Sequence, residues 1–139
     1  MNNDKIIGKV HSSMYHQLQK NGVATPVQVL IDLDVLTVSD YENWRFGRID
    51  YLERVCKVNL HKLSYIMKEI RSYARKNDLK ASWTFYKQWG RKGKKPTIKL
   101  RFSKSGGEEI ERNYATHYIY PKHMADSQQQ PAVADGAKE

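Results

Sequence analysis

Residues able to do covalent or metal chemistry are few in this chain, and their spacing is poor. The five histidines are His11, His16, His61, His117 and His123. His11 and His16 stand five apart and do not share a helical face as an i, i+4 pair of metal ligands would. Asp32 and Asp34 straddle Leu33, a spacing that suits a strand face better than a helical acid pair. The HExxH, CxxC and GxSxG patterns and an Asp…Glu-x-Lys nuclease pattern are absent. His117, in Thr116-His117-Tyr118, is the one histidine expected in the ordered C-terminal part, and it reads as a satisfied structural side chain. With Asp32 and Asp34 it is the best set that a nuclease reading can offer. The single cysteine, Cys56, has no internal disulfide partner and sits in an apolar stretch, so it reads as an inert buried thiol of a reducing compartment. These residues predict a non-enzymatic protein with no metal site and no cofactor.

Anion binding is the chemistry that the composition favours. The chain of 139 residues carries a formal net charge of +9. Residues 57–104 hold 15 Lys/Arg against Glu69 and Asp78 alone, a net +13, whereas the flanks are slightly acidic. Charge of one sign on a contiguous stretch makes a directed field, with nucleic acid, an anionic membrane surface or an acidic protein as the usual partner. A run of 18 apolar residues is missing, so no membrane span is expected, and no membrane is assigned as a partner. Within the basic stretch, Arg91-Lys92-Gly93-Lys94-Lys95 places four cations in five residues around a glycine that lets backbone approach an anion. It lacks the GxxxxGK[ST] spacing of a nucleotide-binding P-loop.

Aromatic residues interleave with these cations. Trp83, Phe85, Tyr86 and Trp89 stand beside Lys80, Lys87 and Arg91, a mixture that can stack unpaired bases. Trp83, Phe85 and Trp89 share one parity and are expected to pack inward on the long helix, which leaves Tyr86 on the other parity as the stacker. Trp44-Arg45-Phe46-Gly47-Arg48 is a second aromatic–arginine cluster. It reads as structural, with Arg45 paired to Asp40 or Glu42 or stacked on Trp44, in preference to a binding edge.

The elements that must position these residues follow from periodicity and caps. Val10, Met14, Tyr15 and Leu18 predict a helix over 9–20, stopped at Asn21-Gly22. Thr25-Pro26 restarts a short helix, with Gln28 closing a capping box. Ser39-Asp40-Tyr41-Glu42 is a second box, opening a helix through Trp44, and Asp50-Tyr51-Leu52-Glu53 is a third, opening one through about Cys56; Gly47 turns between them. The longest helix is predicted from Leu60 to about Lys76, capped by Asn59, with Leu60, Leu63, Ile66, Met67, Ile70 and Ala74 on one face and His61, Lys68, Ser72, Arg75 and Lys76 on the other. The period then changes to two. Trp83–Trp89 and Thr97–Phe102 read as the arms of a β-hairpin whose tip is the basic loop. A helical turn over 108–113 and a strand over 116–120 follow.

The expected fold class is therefore α+β, with several short helices, one longer amphipathic helix and then a hairpin. The domain plan is an N-terminal arm over 1–8, one globular domain over 9–120 and a disordered, Gln/Ala/Asp-rich tail over 121–139. In architecture this order resembles a winged helix-turn-helix, in which a helix enters the DNA major groove and the wing touches backbone. That points to a nucleic-acid-binding domain, duplex DNA first and RNA second, with Lys68, Arg75, Lys76, Arg91, Lys92, Lys94 and Lys95 on phosphates and Tyr86 against a base. An acidic protein docking on the same face is the alternative partner, and the oligomeric state is left open.

Thr25-Pro26 through Val29-Leu30, Asp40-Tyr41 with Trp44-Arg45-Phe46-Gly47-Arg48, Tyr51-Leu52-Glu53, Phe102-Ser103-Lys104 and Tyr114-Ala115-Thr116-His117 together resemble a group of short bacterial proteins of unassigned function. The likeness spans roughly residues 10–120. It implies a bacterial origin and a cytoplasmic setting, and it transfers no functional residue.

Overall fold

Asn2 opens the first helix. Its side chain accepts the Lys5 backbone N–H at 2.9 Å, and α1 runs Asn3–Asn21 in the computed structural model, which describes residues 2–90 and 96–121. Residues 3–8 of the expected arm over 1–8 are thus the start of a helix. The physical reason is Ile6, which continues the four-residue spacing of Val10, Met14 and Leu18 and is only 1% exposed. Tyr15, expected on the same stripe, faces out. Gly22 ends α1 in the left-handed region, φ 75°, with its N–H on the Leu18 carbonyl. Two extended residues, β1 (Val23–Ala24), lead to α2 (Pro26–Asp32), whose cap Thr25 accepts the Gln28 N–H as expected. The Gln28 side chain does not close the box. It donates to Asp32 Oδ1 at 2.8 Å, while Ser13 donates to Asp32 Oδ2 at 2.6 Å. Asp32 is therefore a structural acceptor joining α1 to α2, and Asp34 turns left-handed, φ 61°; the two do not form a strand face.

The second and third boxes are displaced. α3 (Val38–Arg45) starts earlier than expected because Thr37, not Ser39, caps it by accepting the Asp40 N–H at 3.0 Å. Leu52–Val55 forms a 3-10 helix without a side-chain cap; Asp50 pairs with Arg54 instead. That ion pair holds the Asp50 carboxyl below the usual carboxylate range. Cys56 follows, its thiol donating to the Leu52 carbonyl at 3.5 Å. Burial, with Glu53 and Asp40 adding repulsion, pushes its thiol up to about 12. At pH 7 the thiolate is scarce, so we expect a disulfide reagent to label the folded chain at least about a hundredfold more slowly than the unfolded chain. Equal labelling rates with and without denaturant would show that Cys56 is not protected.

α4 (Leu60–Lys76) has the expected bounds and cap, Asn59 accepting the Lys62 N–H at 2.9 Å. Leu63, Ile66, Met67, Ile70 and Ala74 are buried, whereas Leu60, at the open end of the stripe, is exposed. α4 lies against α1 and runs in the same direction, with Lys62 Nζ donating to Asn3 Oδ1 at 3.0 Å and the Tyr73 ring 5.1 Å from His11.

Among the described residues the sheet has three antiparallel strands in the order β1-β3-β2. β2 is Lys80–Trp83 and the central strand β3 is Thr116–Ile119. Val23 and Lys80 both stand opposite Ile119, and Trp83 stands opposite Thr116. Trp83 therefore pairs with the C-terminal strand and not with the second arm of a hairpin. The two arms do meet further along. Lys87 is opposite Lys99, Gln88 donates to the Ile98 carbonyl at 2.9 Å and Leu100 to the Tyr86 carbonyl at 2.8 Å. The expected tip, residues 91–95, lies outside the described residues, as does the tail beyond 121. α5 (Glu108–Ala115) replaces the expected turn and runs directly into β3.

An aromatic column joins these parts. Trp44, fully buried on α3, packs on Phe102 at 5.0 Å and Tyr86 at 5.7 Å, and Phe102 stacks on Tyr114 of α5 at 5.4 Å. Two carboxylates hold the second arm in place. Glu111 accepts the Phe102 and Ser103 N–H groups at 2.9 and 2.7 Å. Glu53 accepts the Lys104 N–H and the Tyr114 hydroxyl at 2.9 and 2.8 Å. Both carboxylates thus accept charge-assisted hydrogen bonds from backbone N–H groups of the second arm.

Candidate nucleic-acid interface

The column reverses the inside and outside of segment 83–89. Tyr86 turns inward onto Trp44 and Phe102, and its hydroxyl is pushed up to about 12, mainly by burial. Tyr86 is therefore not an outward base stacker. Trp83, Phe85 and Trp89, expected in the core, are exposed at 49%, 36% and 37%. The reason is the partner: the inward side of the segment is set by Trp44 and Phe102, not by α4.

Each outward ring carries a cation. Arg112 lies over Trp83 at 5.2 Å, Lys99 over Phe85 at 5.9 Å and Arg45 over Trp89 at 4.5 Å. Arg112 and Lys99 come from elements distant in sequence, and no local pattern marks them. Arg45 belongs to the cluster read as structural, and it is part of a structural knot: Trp89 donates its backbone N–H to the Arg45 carbonyl at 2.6 Å. Its guanidinium pairs with no carboxylate among the described residues, contrary to the expected Asp40 or Glu42 partner. It lies instead over Trp89 and, at 4.9 Å, over Tyr86.

Lys68, Arg75 and Lys76 are exposed on α4, as expected of its outer face, and make no ion pair among the described residues. Arg91, Lys92, Lys94 and Lys95 fall in the part of the chain not described. Gly47, φ 78°, brings α3 against the arm so closely that an added Cβ would lie 2.6 Å from the Gln88 side chain.

Between α1, α2, Arg45 and the first arm lies an open cleft of about 840 Å³. Phe85, Tyr86 and Trp89 line it together with Arg45, Lys87 and His117, and among the described residues no Asp or Glu does. Among the described residues His117 has no carboxylate partner; its ring lies 6.0 Å from that of Tyr86. Burial lowers it below the usual imidazole range, so it is neutral at pH 7. Two buried side-chain polar atoms among the described residues lack a hydrogen-bond partner, Arg45 Nε and His117 Nε2, and both residues line this cleft. Among the described residues no group of His, Cys, Asp and Glu is placed to hold a metal ion, and no helix is long and apolar enough to cross a membrane.

No family model, curated protein or solved structure matches the chain.

Proposed function

We propose that this chain is a non-enzymatic, cytoplasmic binder of single-stranded nucleic acid that stacks unpaired bases on Trp83, Phe85 and Trp89. The observation that carries this reading is the exposure of those three rings, each with a cation over it. Every base has a π-face, so exposed rings accept unpaired bases of any sequence, and each stack contributes about 1–3 kcal/mol. Alternate residues of an extended segment stand roughly 7 Å apart. That is about twice the 3.4 Å rise of stacked bases, which suits a strand already pulled out of its stack. A duplex keeps its base faces covered and gains nothing from the rings. The unpaired cations of α4, Lys68, Arg75 and Lys76, add a field for the backbone. The lone, protected Cys56 accords with a reducing compartment.

The test is fluorescence anisotropy of a labelled oligonucleotide, single-stranded and as its duplex, across a salt series. We expect the single strand to bind at least about tenfold more tightly than the duplex. With about six phosphates neutralised, the log–log salt slope is about −4, which is a loss of a few hundredfold between roughly 50 and 200 mM salt. No binding to any strand at low salt would end this reading, and a preference for duplex would return the α4 face to first place.

A further inference from the structure

β2 is an edge strand of the sheet. Among the described residues β3 is its one neighbour there, and β1 lies beyond β3. In an antiparallel pair, alternate residues aim both of their backbone groups at the same neighbour. Two of the four residues Lys80–Trp83 therefore bond β3, and the other two hold an N–H and a C=O outward. No other backbone hydrogen bond among the described residues reaches 80–83. Neither face of the strand is buried: every residue from Lys80 to Phe85 is exposed, whereas β1 is buried and β3 alternates. A row of unpaired donors and acceptors is a template for one more strand.

The charge around β2 says what that strand is. Residues 75–87, which contain it, hold Arg75, Lys76, Lys80 and Lys87 against Asp78 alone. All four cations are exposed, and none is in an ion pair among the described residues. A second copy of this chain would bring the same cations to the same edge, and two copies of net charge +9 repel each other. Phosphates accept hydrogen bonds and do not donate them, so a nucleic-acid backbone leaves the outward C=O groups unanswered. A polypeptide supplies donors and acceptors in the alternation that the edge requires, and carboxylates on it answer the cations. Residues opposite in register share a face, as Lys80 does with Ile119. The added residue opposite Lys80 stands on that face too, and it is the one that should be acidic. We propose that β2 docks an extended, acidic segment of a partner protein, which joins the sheet as a further strand. This goes beyond the single-strand reading and does not depend on it. The segment uses the backbone of the edge, whereas bases use the exposed rings.

The probe is a short peptide of alternating glutamate and valine, blocked at both ends, titrated into the isotope-labelled full chain at low salt and followed by NMR. At saturation, alternate amides of Lys80–Trp83 are expected to shift and to exchange with solvent at least about tenfold more slowly. The same peptide methylated on every backbone nitrogen keeps its carboxylates and has no backbone donor. It is expected to bind at least about tenfold more weakly. Lys80→Glu sets like charges side by side and should weaken the unmethylated peptide by about tenfold; if that variant does not fold, the two peptides on the native chain still decide. Unchanged exchange at Lys80–Trp83 with the peptide at millimolar concentration overturns the proposal. Equal binding of the methylated peptide does so too, because it reduces the contact to charge alone. An oligonucleotide that protects the same alternate amides would give the edge to nucleic acid and also overturn it. Oligonucleotide binding, measured alongside, keeps the two readings apart. Peptide docking without strand binding removes the single-strand reading alone, and strand binding without amide protection by the peptide removes the docking proposal alone.

Discussion

Replacing Trp83 and Phe85 together by alanine is expected to weaken single-strand binding by at least about thirtyfold, since each ring lost removes about 1–3 kcal/mol of stacking. Both side chains are exposed, at 49% and 36%, so the substitution takes little from the core, and the melting temperature should move by only a few degrees. The salt slope separates the two forces at work. No Lys or Arg is removed, so the number of phosphates neutralised stays the same and the slope should stay near its original value while affinity falls. A double variant that binds within about threefold of the parent would show that the rings do not stack bases. A changed slope would show instead that the substitution moved Arg112 or Lys99, the cations over those rings.

Trp44→Ala is expected to cost about 3–5 kcal/mol of folding stability, the range for truncating a buried aromatic. That is a large part of the roughly 5–15 kcal/mol that holds such a domain together. The side chain is 0% exposed, and it contacts Phe102, Tyr86 and Tyr41. Its Nε1–H donates to the Arg101 carbonyl at 2.8 Å, which binds α3 to the second arm. Trp44→Phe is the milder companion. It keeps most of the ring burial and loses that hydrogen bond, for about 1–2 kcal/mol. Urea unfolding of both variants measures the two losses. A cost below about 1 kcal/mol for Trp44→Ala would mean that the column is not the centre of the core. Arg45 follows Trp44 on the chain, so loosening the column should also loosen the cleft. In Trp44→Phe, binding should weaken along with stability.

Caps and helical periodicity were legible in the sequence wherever a single element decided the outcome. α4 begins after Asn59 and buries its stripe because the spacing of Leu63, Ile66, Met67, Ile70 and Ala74 leaves a helix no other choice. Thr25-Pro26 opens α2 for an equally local reason. Ile6 belonged to the same pattern as Val10 and Met14, and the expected arm over 1–8 overlooked a stripe already present in the chain. The two displaced boxes show the edge of local reasoning. Several residues near each start could cap, and with Thr37 as the cap the helix begins two residues earlier than a Ser39 cap would place it.

Segment 83–89 is where local reasoning stopped. Alternation tells which residues share a side; it does not tell which side meets the core, because a period of two is the same seen from either face. That choice fell to residues far along the chain. Trp44 supplies a large buried ring, anchored to the Arg101 carbonyl. Glu111 and Glu53 pin residues 102–104. β3 takes the pairing of Trp83 that a hairpin would have used. The sequence by itself determined that positive charge and aromatic rings are concentrated in one stretch, since composition and order require no fold. Only the tertiary structure decided that Trp83, Phe85 and Trp89 face outward beneath Arg112, Lys99 and Arg45, because an exposed face is defined by what covers the opposite one.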